Sequence, residues 1–116
     1  MKKRVVGILA ILLILAFFLW LNSYAGGPRA TVYQHCGFRG YYVSLPVGDY
    51  QTSILRRLGM KNDDISSIRI PNGLGVILYQ HDKFKGRLWQ FYADIPCFGD
   101  YPGLNDTVSS IRVFYR

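Results

Sequence analysis

An eight-residue segment occurs twice in this chain, and the repeat limits what the chain can fold into. Residues 62–69 read NDDISSIR and residues 105–112 read NDTVSSIR, so six of the eight positions are identical. Asn, Asp and Ser favour turns because their side chains hydrogen-bond to nearby backbone groups. A duplicated turn that leads into a short apolar segment indicates two copies of one folding unit.

A second repeated segment precedes each turn. Residues 33–40 read YQHCGFRG and residues 79–86 read YQHDKFKG, and an alternating apolar segment follows each of them. We expect a hairpin folded over its own sheet in each unit, with positive φ at the closing glycine, where a Cβ would be strained. The expected ring pairs are Phe38 with Tyr33 and Phe84 with Tyr79. The serines expected to hydrogen-bond to these hairpins are Ser67 and Ser110.

Each unit contains four short segments with the composition of β-strands. These segments are residues 31–35, 41–45, 48–51 and 65–70, then 76–80, 87–91, 95–97 and 108–115. A short helix is expected at residues 53–59, and Pro96 places its strand at an edge or a bend. The pattern predicts an all-β fold, an antiparallel β-sandwich. The residues expected in its core are Val32, Val43, Ile54, Leu58, Ile68, Ile70, Ile77, Leu88, Phe91, Ile111 and Val113.

The chain begins with a segment of different composition. Residues 2–4 are basic, the 17 residues from 5 to 21 carry no charge, and small side chains follow at Ser23 and Ala25. This pattern is typical of an export signal that is cleaved after Ala25. The apolar run is also just long enough to span a membrane, so an uncleaved anchor is the alternative.

We therefore expect a signal or anchor helix at residues 1–25 of an exported protein, periplasmic or secreted, with membrane attachment if the helix is retained. One domain is expected at residues 26–116, with repeat units at 30–71 and 75–115. Removing residues 1–25 takes away three of the 14 basic residues and none of the seven acidic ones, which leaves a net charge of about +4. A surplus of this size is ordinary for solubility and suits the anionic cell envelope. The sequence contains no nucleic-acid-binding motif.

The sequence alone does not decide whether the two cysteines, Cys36 and Cys97, form a disulfide. Export would permit a disulfide. The cysteines occupy non-equivalent places in the two repeats, however, so the repeat does not predict that they meet. Zinc binding is not expected, because the sequence has no Cys-x-x-Cys or His-x-x-x-His spacing.

The motif Tyr-x-x-x-x-Phe-x-Gly followed by Asn-Asp-x-x-Ser-Ser, present twice, resembles the βγ-crystallin family. It most resembles the microbial calcium-binding members, which have a single domain of two Greek keys. The resemblance covers residues 30–116, and two copies of both motifs in order make it specific. It implies two intertwined Greek keys in which a strand from each key completes the sheet of the other.

The duplicated turn is also a candidate calcium site. Calcium binds six to eight hard oxygens, and a turn of Asn, Asp and Ser offers amide, carboxylate, hydroxyl and carbonyl oxygens. One turn supplies too few of them, whereas two turns related by a pseudo-twofold axis can share them. The resemblance implies two calcium ions, held by the second-position side chain, the third-position carbonyl and the fifth-position hydroxyl of each turn. A main-chain carbonyl from the first strand completes the set. The ligands implied are Asp63, Asp64 and Ser66, Asp106, Thr107 and Ser109, with Gln34 and Gln80 on the first strands.

The remaining residues near the turns modify this expectation. Asn62 and Asn105 are expected to shape the turns or to bind through water. The family often has Glu where this chain has Gln34 and Gln80, so negative charge is lost and a modest calcium affinity is expected.

Other functions are weaker candidates. An enzyme is not expected, because His35 and His81 recur at one repeat position and no nucleophile–base pair is visible. A secreted protease inhibitor on the same fold is one alternative, although the comparable inhibitors carry more cysteines. An envelope- or polysaccharide-binding surface is another. The residues that would form it are Tyr41, Tyr42, Trp89, Phe91, Tyr92 and Tyr101, with Lys83, Lys85 and Arg87.

Overall fold

The computed structural model describes residues 27–61 and 63–116. The strands in this part of the chain are β1 (Arg29–His35), β2 (Arg39–Pro46), β3 (Gly48–Tyr50), β4 (Ser67–Arg69), β5 (Leu74–His81), β6 (Lys85–Phe91) and β7 (Ser110–Tyr115). Helix α1 covers Thr52–Arg57, and 3₁₀ turns cover Asp82–Phe84 and Phe98–Asp100. The predicted signal or anchor segment lies outside the described residues. Among the residues described, no helix has the length and apolar character needed to cross a membrane.

The described strands form two antiparallel sheets whose edges are exchanged between the repeat units. The strand orders are β2-β1-β4 and β3-β7-β5-β6. Strand β3 belongs to the first unit but pairs with β7 of the second, with Tyr50 opposite Ile111. In return, Ile95 of the second unit forms a bridge to Ile68 on β4 of the first. The predicted antiparallel β-sandwich of two intertwined Greek keys is therefore confirmed.

The third strand predicted for the second unit, at residues 95–97, is reduced to that bridge. The Ile68 and Ile95 backbones exchange two hydrogen bonds, with N–O distances of 2.9 and 3.0 Å. Pro96 has no N–H with which to continue the ladder. The predicted helix is present, although it begins and ends earlier than expected.

The interior between the sheets contains six of the predicted core residues. Those buried as predicted are Val32, Val43, Ile68, Ile70, Ile111 and Val113. Ile77 and Phe91 are half-buried. The core also takes in Phe98 and Leu104, which are fully buried although they lie between strands.

The prediction was wrong for Ile54, Leu58 and Leu88, which are 37%, 47% and 53% exposed. Ile54 lies on the outer face of a short helix whose Leu55 packs into the core, and Leu58, four residues later and directly after the helix, lies on the same side. Leu88 is three residues from Phe91, and side chains an odd number apart on a strand point to opposite faces. Since Phe91 packs against the core, Leu88 faces outward.

The folded hairpins are held as predicted, with the same contacts in both units. Phe38 packs edge-on against Tyr33 and Phe84 against Tyr79, each with ring centroids 5.6 Å apart. The hairpin glycines Gly40 and Gly86 have φ values of +82° and +80°.

The last serine of each turn is fully buried beneath its hairpin. Ser110 Oγ donates to the His81 carbonyl at 2.7 Å and accepts from the Phe84 N–H at 3.0 Å. Ser67 makes the same pair of bonds in the first unit, to His35 at 2.6 Å and from Phe38 at 3.1 Å.

Replacing Ser110 with Ala tests the hairpin bonds. We expect Ser110→Ala to lower the free energy of unfolding by about 2 kcal/mol, because it leaves a backbone N–H and a carbonyl without their partner. Chemical denaturation measures the change. Ser53→Ala, at an exposed position of α1, is the matched control and should have little effect. Equal stability of the Ser110 variant and the control would contradict the assigned role.

Candidate metal centre

The two repeated turns have the same backbone form. Asp63 and Asp106, at the second position of each turn, both have a left-handed φ of 56°. Two residues later, Ile65 and Val108 are buried and anchor each turn to the core.

The fifth position of each turn is tied to the first strand of its own unit. The N–H of Ser66 donates to the Tyr33 carbonyl, and the N–H of Ser109 donates to the Tyr79 carbonyl, both at 2.9 Å. Turn and strand are therefore fixed relative to each other in both units.

The turns meet across the molecule. Ser109 Oγ donates to Asp63 Oδ1 at 3.3 Å, although the two residues are 46 positions apart in the chain. A cavity of about 10 Å³, which has room for about one water-sized atom, lies at this contact. It is lined by Thr52, Leu55, Arg56, Met60, Lys61, Asp63, Ile65, Val108 and Ser109.

The third-position side chains are held by neighbours, which leaves their backbone carbonyls as the candidate ligands. Tyr41 donates its hydroxyl to Asp64 Oδ2 at 2.6 Å. Burial, and then the bond to Asp64, raise the pKa of the Tyr41 phenol, so it remains a donor at neutral pH. Thr107 Oγ1 lies 2.8 Å from the carbonyl oxygens of both Gly103 and Leu104 and can donate to either.

The two glutamines lie where the hairpin ladders are irregular. The register shifts between Tyr33 and His35 in one unit and between Tyr79 and His81 in the other, which puts Gln34 and Gln80 at the breaks. A residue at such a break is unpaired in the ladder, so its carbonyl can turn away from the sheet. The side chain of Gln80 accepts the Arg87 N–H at 3.2 Å and is itself engaged.

The structure brings some predicted ligands together and leaves others apart. Asp63 and Ser109 are in contact, whereas Asp106 and Ser66 share no hydrogen bond in the described part of the chain. Instead, Asn105 Nδ2 donates to Asp106 Oδ2 at 3.4 Å, as a residue that shapes the turn would. Asn62 lies outside the described residues.

The donors suit a hard cation better than a transition metal. No group of three or more His, Cys, Asp or Glu side chains in residues 27–61 and 63–116 is placed to hold a metal. The turns offer carboxylate, hydroxyl and carbonyl oxygens, which calcium prefers. Arg56 and Lys61 line the same cavity as Asp63 and would weaken cation binding there.

The fold matches that of known proteins. The structure superposes on the crystal structure of a βγ-crystallin domain from Flavobacterium johnsoniae with a TM-score of 0.72 and 44% sequence identity, covering 75% of this chain and 94% of that one. The chain belongs to the βγ-crystallin family. A second relative with a solved structure is the N-terminal domain of protein S, with a TM-score of 0.71 and 39% identity over 76% of this chain and 97% of that one.

This βγ-crystallin also matches a longer relative. Development-specific protein S of Myxococcus xanthus is 42% identical over 83 residues, which are 72% of this chain and 46% of that protein. The chain therefore spans about half the length of this relative. No protein-family model matches the chain.

Sequence reasoning missed three residues that support the turns of this βγ-crystallin. They are Tyr41, which holds Asp64, and the pair Thr52 and Asp82. Thr52 Oγ1 donates to the Ser109 carbonyl at 2.5 Å, and Asp82 Oδ1 accepts the Thr52 N–H at 2.9 Å. The two copies of this repeated segment differ at three positions, and the difference between Cys36 and Asp82 was the available signal.

The six aromatic residues proposed for an envelope-binding surface do not form one exposed face. Four of the six aromatics pack against the core: Tyr41, Trp89, Phe91 and Tyr101. Tyr42 and Tyr92 are exposed, but Tyr42 lies on β2 and Tyr92 follows β6 of the other sheet.

The hydrogen bond between Thr52 and Asp82, which helps to position Ser109, should depend on pH. The backbone N–H groups of Thr52 and then Lys83 hold the pKa of Asp82 below its ordinary value of 3.8. A lowered folded-state pKa means that the contribution to stability is present above pH 3.8 and is lost as the pH falls through the folded-state pKa. Asp82→Ala should therefore lower the melting temperature at pH 7, and the difference from the unmodified protein should vanish in acid.

Melting curves from pH 7 to pH 2 measure this difference. Asp100→Ala, at another exposed acid, is the control. A difference for Asp82→Ala that stays constant with pH would show that the charge of Asp82 has no part in it.

Proposed function

We propose that this βγ-crystallin is an exported protein that binds two calcium ions between its paired turns, and that the ions stabilise the fold. The observation that carries the proposal is the contact of Asp63 with Ser109. It joins the second position of one turn to the fifth position of the other, the two positions that would each supply a side-chain oxygen. By the pseudo-twofold relation, Asp106 and Ser66 would serve the second ion.

Each proposed site combines few charges with several neutral oxygens. Asp63 or Asp106 supplies one carboxylate, and a serine hydroxyl from the opposite turn joins it. The carbonyls of Asp64 and Thr107 and those of Gln34 and Gln80 supply neutral oxygens, and water fills the remaining positions. With about one carboxylate per ion, we expect Kd on the order of 10⁻⁶ to 10⁻⁴ M. The site that takes the Thr107 carbonyl has fewer nearby charges than the site that takes the Asp64 carbonyl, so it should bind calcium more weakly.

Calcium bound in this way would raise the free energy of unfolding. A ligand that binds only the folded state adds about 2.7 kcal/mol at a hundredfold excess over its Kd. The ions would hold together two turns that belong to different repeat units. The Cys36–Cys97 disulfide supports an exported location, because disulfides persist in oxidising compartments. Continuously filled structural sites therefore fit this protein better than a signalling switch.

Calorimetric titration of the full chain in a non-ionic detergent tests the stoichiometry. We expect two bound calcium ions, with one lost in Asp63→Ala and one lost in Asp106→Ala, because each variant removes the carboxylate of one site. Each variant should also weaken the remaining site, since the turns share their ligands. Asp100→Ala, which removes an exposed acid outside both turns, should still bind two ions.

The same samples are then melted with calcium and with chelator. Calcium should raise the melting temperature of the unmodified protein, and of each aspartate variant by less. Absence of both a calorimetric signal and a calcium-dependent rise in melting temperature would overturn the proposed function.

A further inference from the structure

The Cys36–Cys97 disulfide occupies the same place in the repeat as the hydrogen-bonded pair of Thr52 and Asp82. Cys36 aligns with Asp82 within YQHCGFRG and YQHDKFKG. The segments that carry Cys97 and Thr52 can be aligned through their strand pairing. Ile95 bridges to Ile68 just as Tyr50 pairs with Ile111. Ile68 and Ile111 are the same position of the repeated turn segment, so Ile95 is equivalent to Tyr50. Two residues further on, Cys97 is equivalent to Thr52.

A second pair of contacts supports this alignment independently. The residue before Ile95 is Asp94, and the residue before Tyr50 is Asp49. Arg69 forms an ion pair with Asp94 at 3.6 Å, and the equivalent Arg112 forms one with Asp49 at 3.4 Å. Both arginines also lie over the hairpin phenylalanine of their unit, at 3.9 Å from the Phe38 centroid and 4.2 Å from the Phe84 centroid. The exchanged segments are therefore seated in the same way on both sides.

We name the two equivalent contacts the cystine clamp, Cys36–Cys97, and the hydrogen-bonded clamp, Thr52–Asp82. Each clamp ties the exchanged segment of one unit to the hairpin of the other. In the cystine clamp the two Cα atoms lie 4.6 Å apart. In the hydrogen-bonded clamp, Asp82 accepts the Thr52 N–H at 2.9 Å.

Both clamps end on the carbonyl of a fifth-position serine. On the cystine side, the N–H of Phe98, next to Cys97, donates to the Ser66 carbonyl at 2.7 Å. Cys36 Sγ lies 3.7 Å from the same oxygen. On the other side, Thr52 itself donates to the Ser109 carbonyl at 2.5 Å. Each serine is therefore positioned by the clamp on its own side.

We propose that the two clamps are equivalent positioning devices, and that the cystine clamp sets the affinity of the Asp106–Ser66 site while the hydrogen-bonded clamp sets that of the Asp63–Ser109 site. This inference rests on the proposed calcium sites. Cys36, Cys97, Thr52 and Asp82 bind no ion in this scheme; they hold the backbone from which the serine hydroxyls project. Loss of groups that orient metal ligands typically weakens metal affinity by about 10- to 100-fold.

Reduction of the disulfide separates the two sites. A dithiol reagent is oxidised to its own disulfide and leaves Cys36 and Cys97 as two thiols, which ends the covalent tie. Calorimetry is carried out on Asp63→Ala and Asp106→Ala chains, each retaining one site, before and after reduction. The site retained in Asp63→Ala should weaken about tenfold on reduction, as expected for a lost orienting group. The site retained in Asp106→Ala should keep its affinity.

The reverse experiment installs a second cystine clamp. If the clamps are equivalent, T52C/D82C should form a disulfide, seen by mass spectrometry as the loss of two hydrogens. Amide hydrogen exchange of the turn around Ser109 should then slow, and that site should bind calcium more tightly. C36D/C97T, which copies the hydrogen-bonded clamp into the cystine position, is the matched variant. It should fold and bind calcium even if the reduced protein unfolds.

The outcomes distinguish this inference from the proposed function. An unmodified protein that binds no calcium contradicts the function, while disulfide formation in T52C/D82C and slower exchange around Ser109 would still support equivalent clamps. Two bound ions with reduction weakening both sites equally, or neither, would overturn the inference. Failure of T52C/D82C to form its disulfide would also overturn it.

Discussion

The exchange of short segments between the two repeat units is the constraint on which the rest of the structure depends. Neither unit has a complete sheet alone, because β3 pairs with β7 and Ile95 bridges to Ile68. The same exchange carries Thr52 and Cys97 into the opposite unit, beside the serines of the other turn. One topological feature thus closes the core, joins the two turns and supplies the groups that support them.

The two adjacent serines of each turn have different roles, which explains why each copy of the repeat contains both. Neighbouring residues in extended backbone point to opposite sides. Ser67 and Ser110 are fully buried and hold the hairpins, whereas Ser66 and Ser109 are half-buried, and Ser109 contacts Asp63 of the other turn. Structure and proposed calcium binding therefore use separate residues of one segment.

The sequence was sufficient for the fold because its signals are local and repeated: the hairpin glycines, the Tyr–Phe ring pairs and the buried serines all lie at fixed spacings. It was insufficient where residues distant in sequence meet. The exchange of segments brings Cys97 to Cys36 just as it brings Thr52 to Asp82. A comparison of the two repeats in linear order does not show this relation. We predicted both Leu88 and Phe91 in the core, although side chains an odd number of residues apart on a strand point to opposite faces. Of the candidate site, the turns could be predicted, but not the contact of Asp63 with Ser109 or the support from Tyr41, Thr52 and Asp82.

In the proposed function, the two turns bind calcium as one paired structure. The most direct measurement is an NMR titration of the ¹⁵N-labelled chain with calcium, which follows the backbone amides of both turns. We expect the amides at residues 63–66 and 105–109 to shift together and to stop shifting at two ions per chain. Shifts confined to one turn, shifts elsewhere with both turns unchanged, or no shifts at all would contradict it.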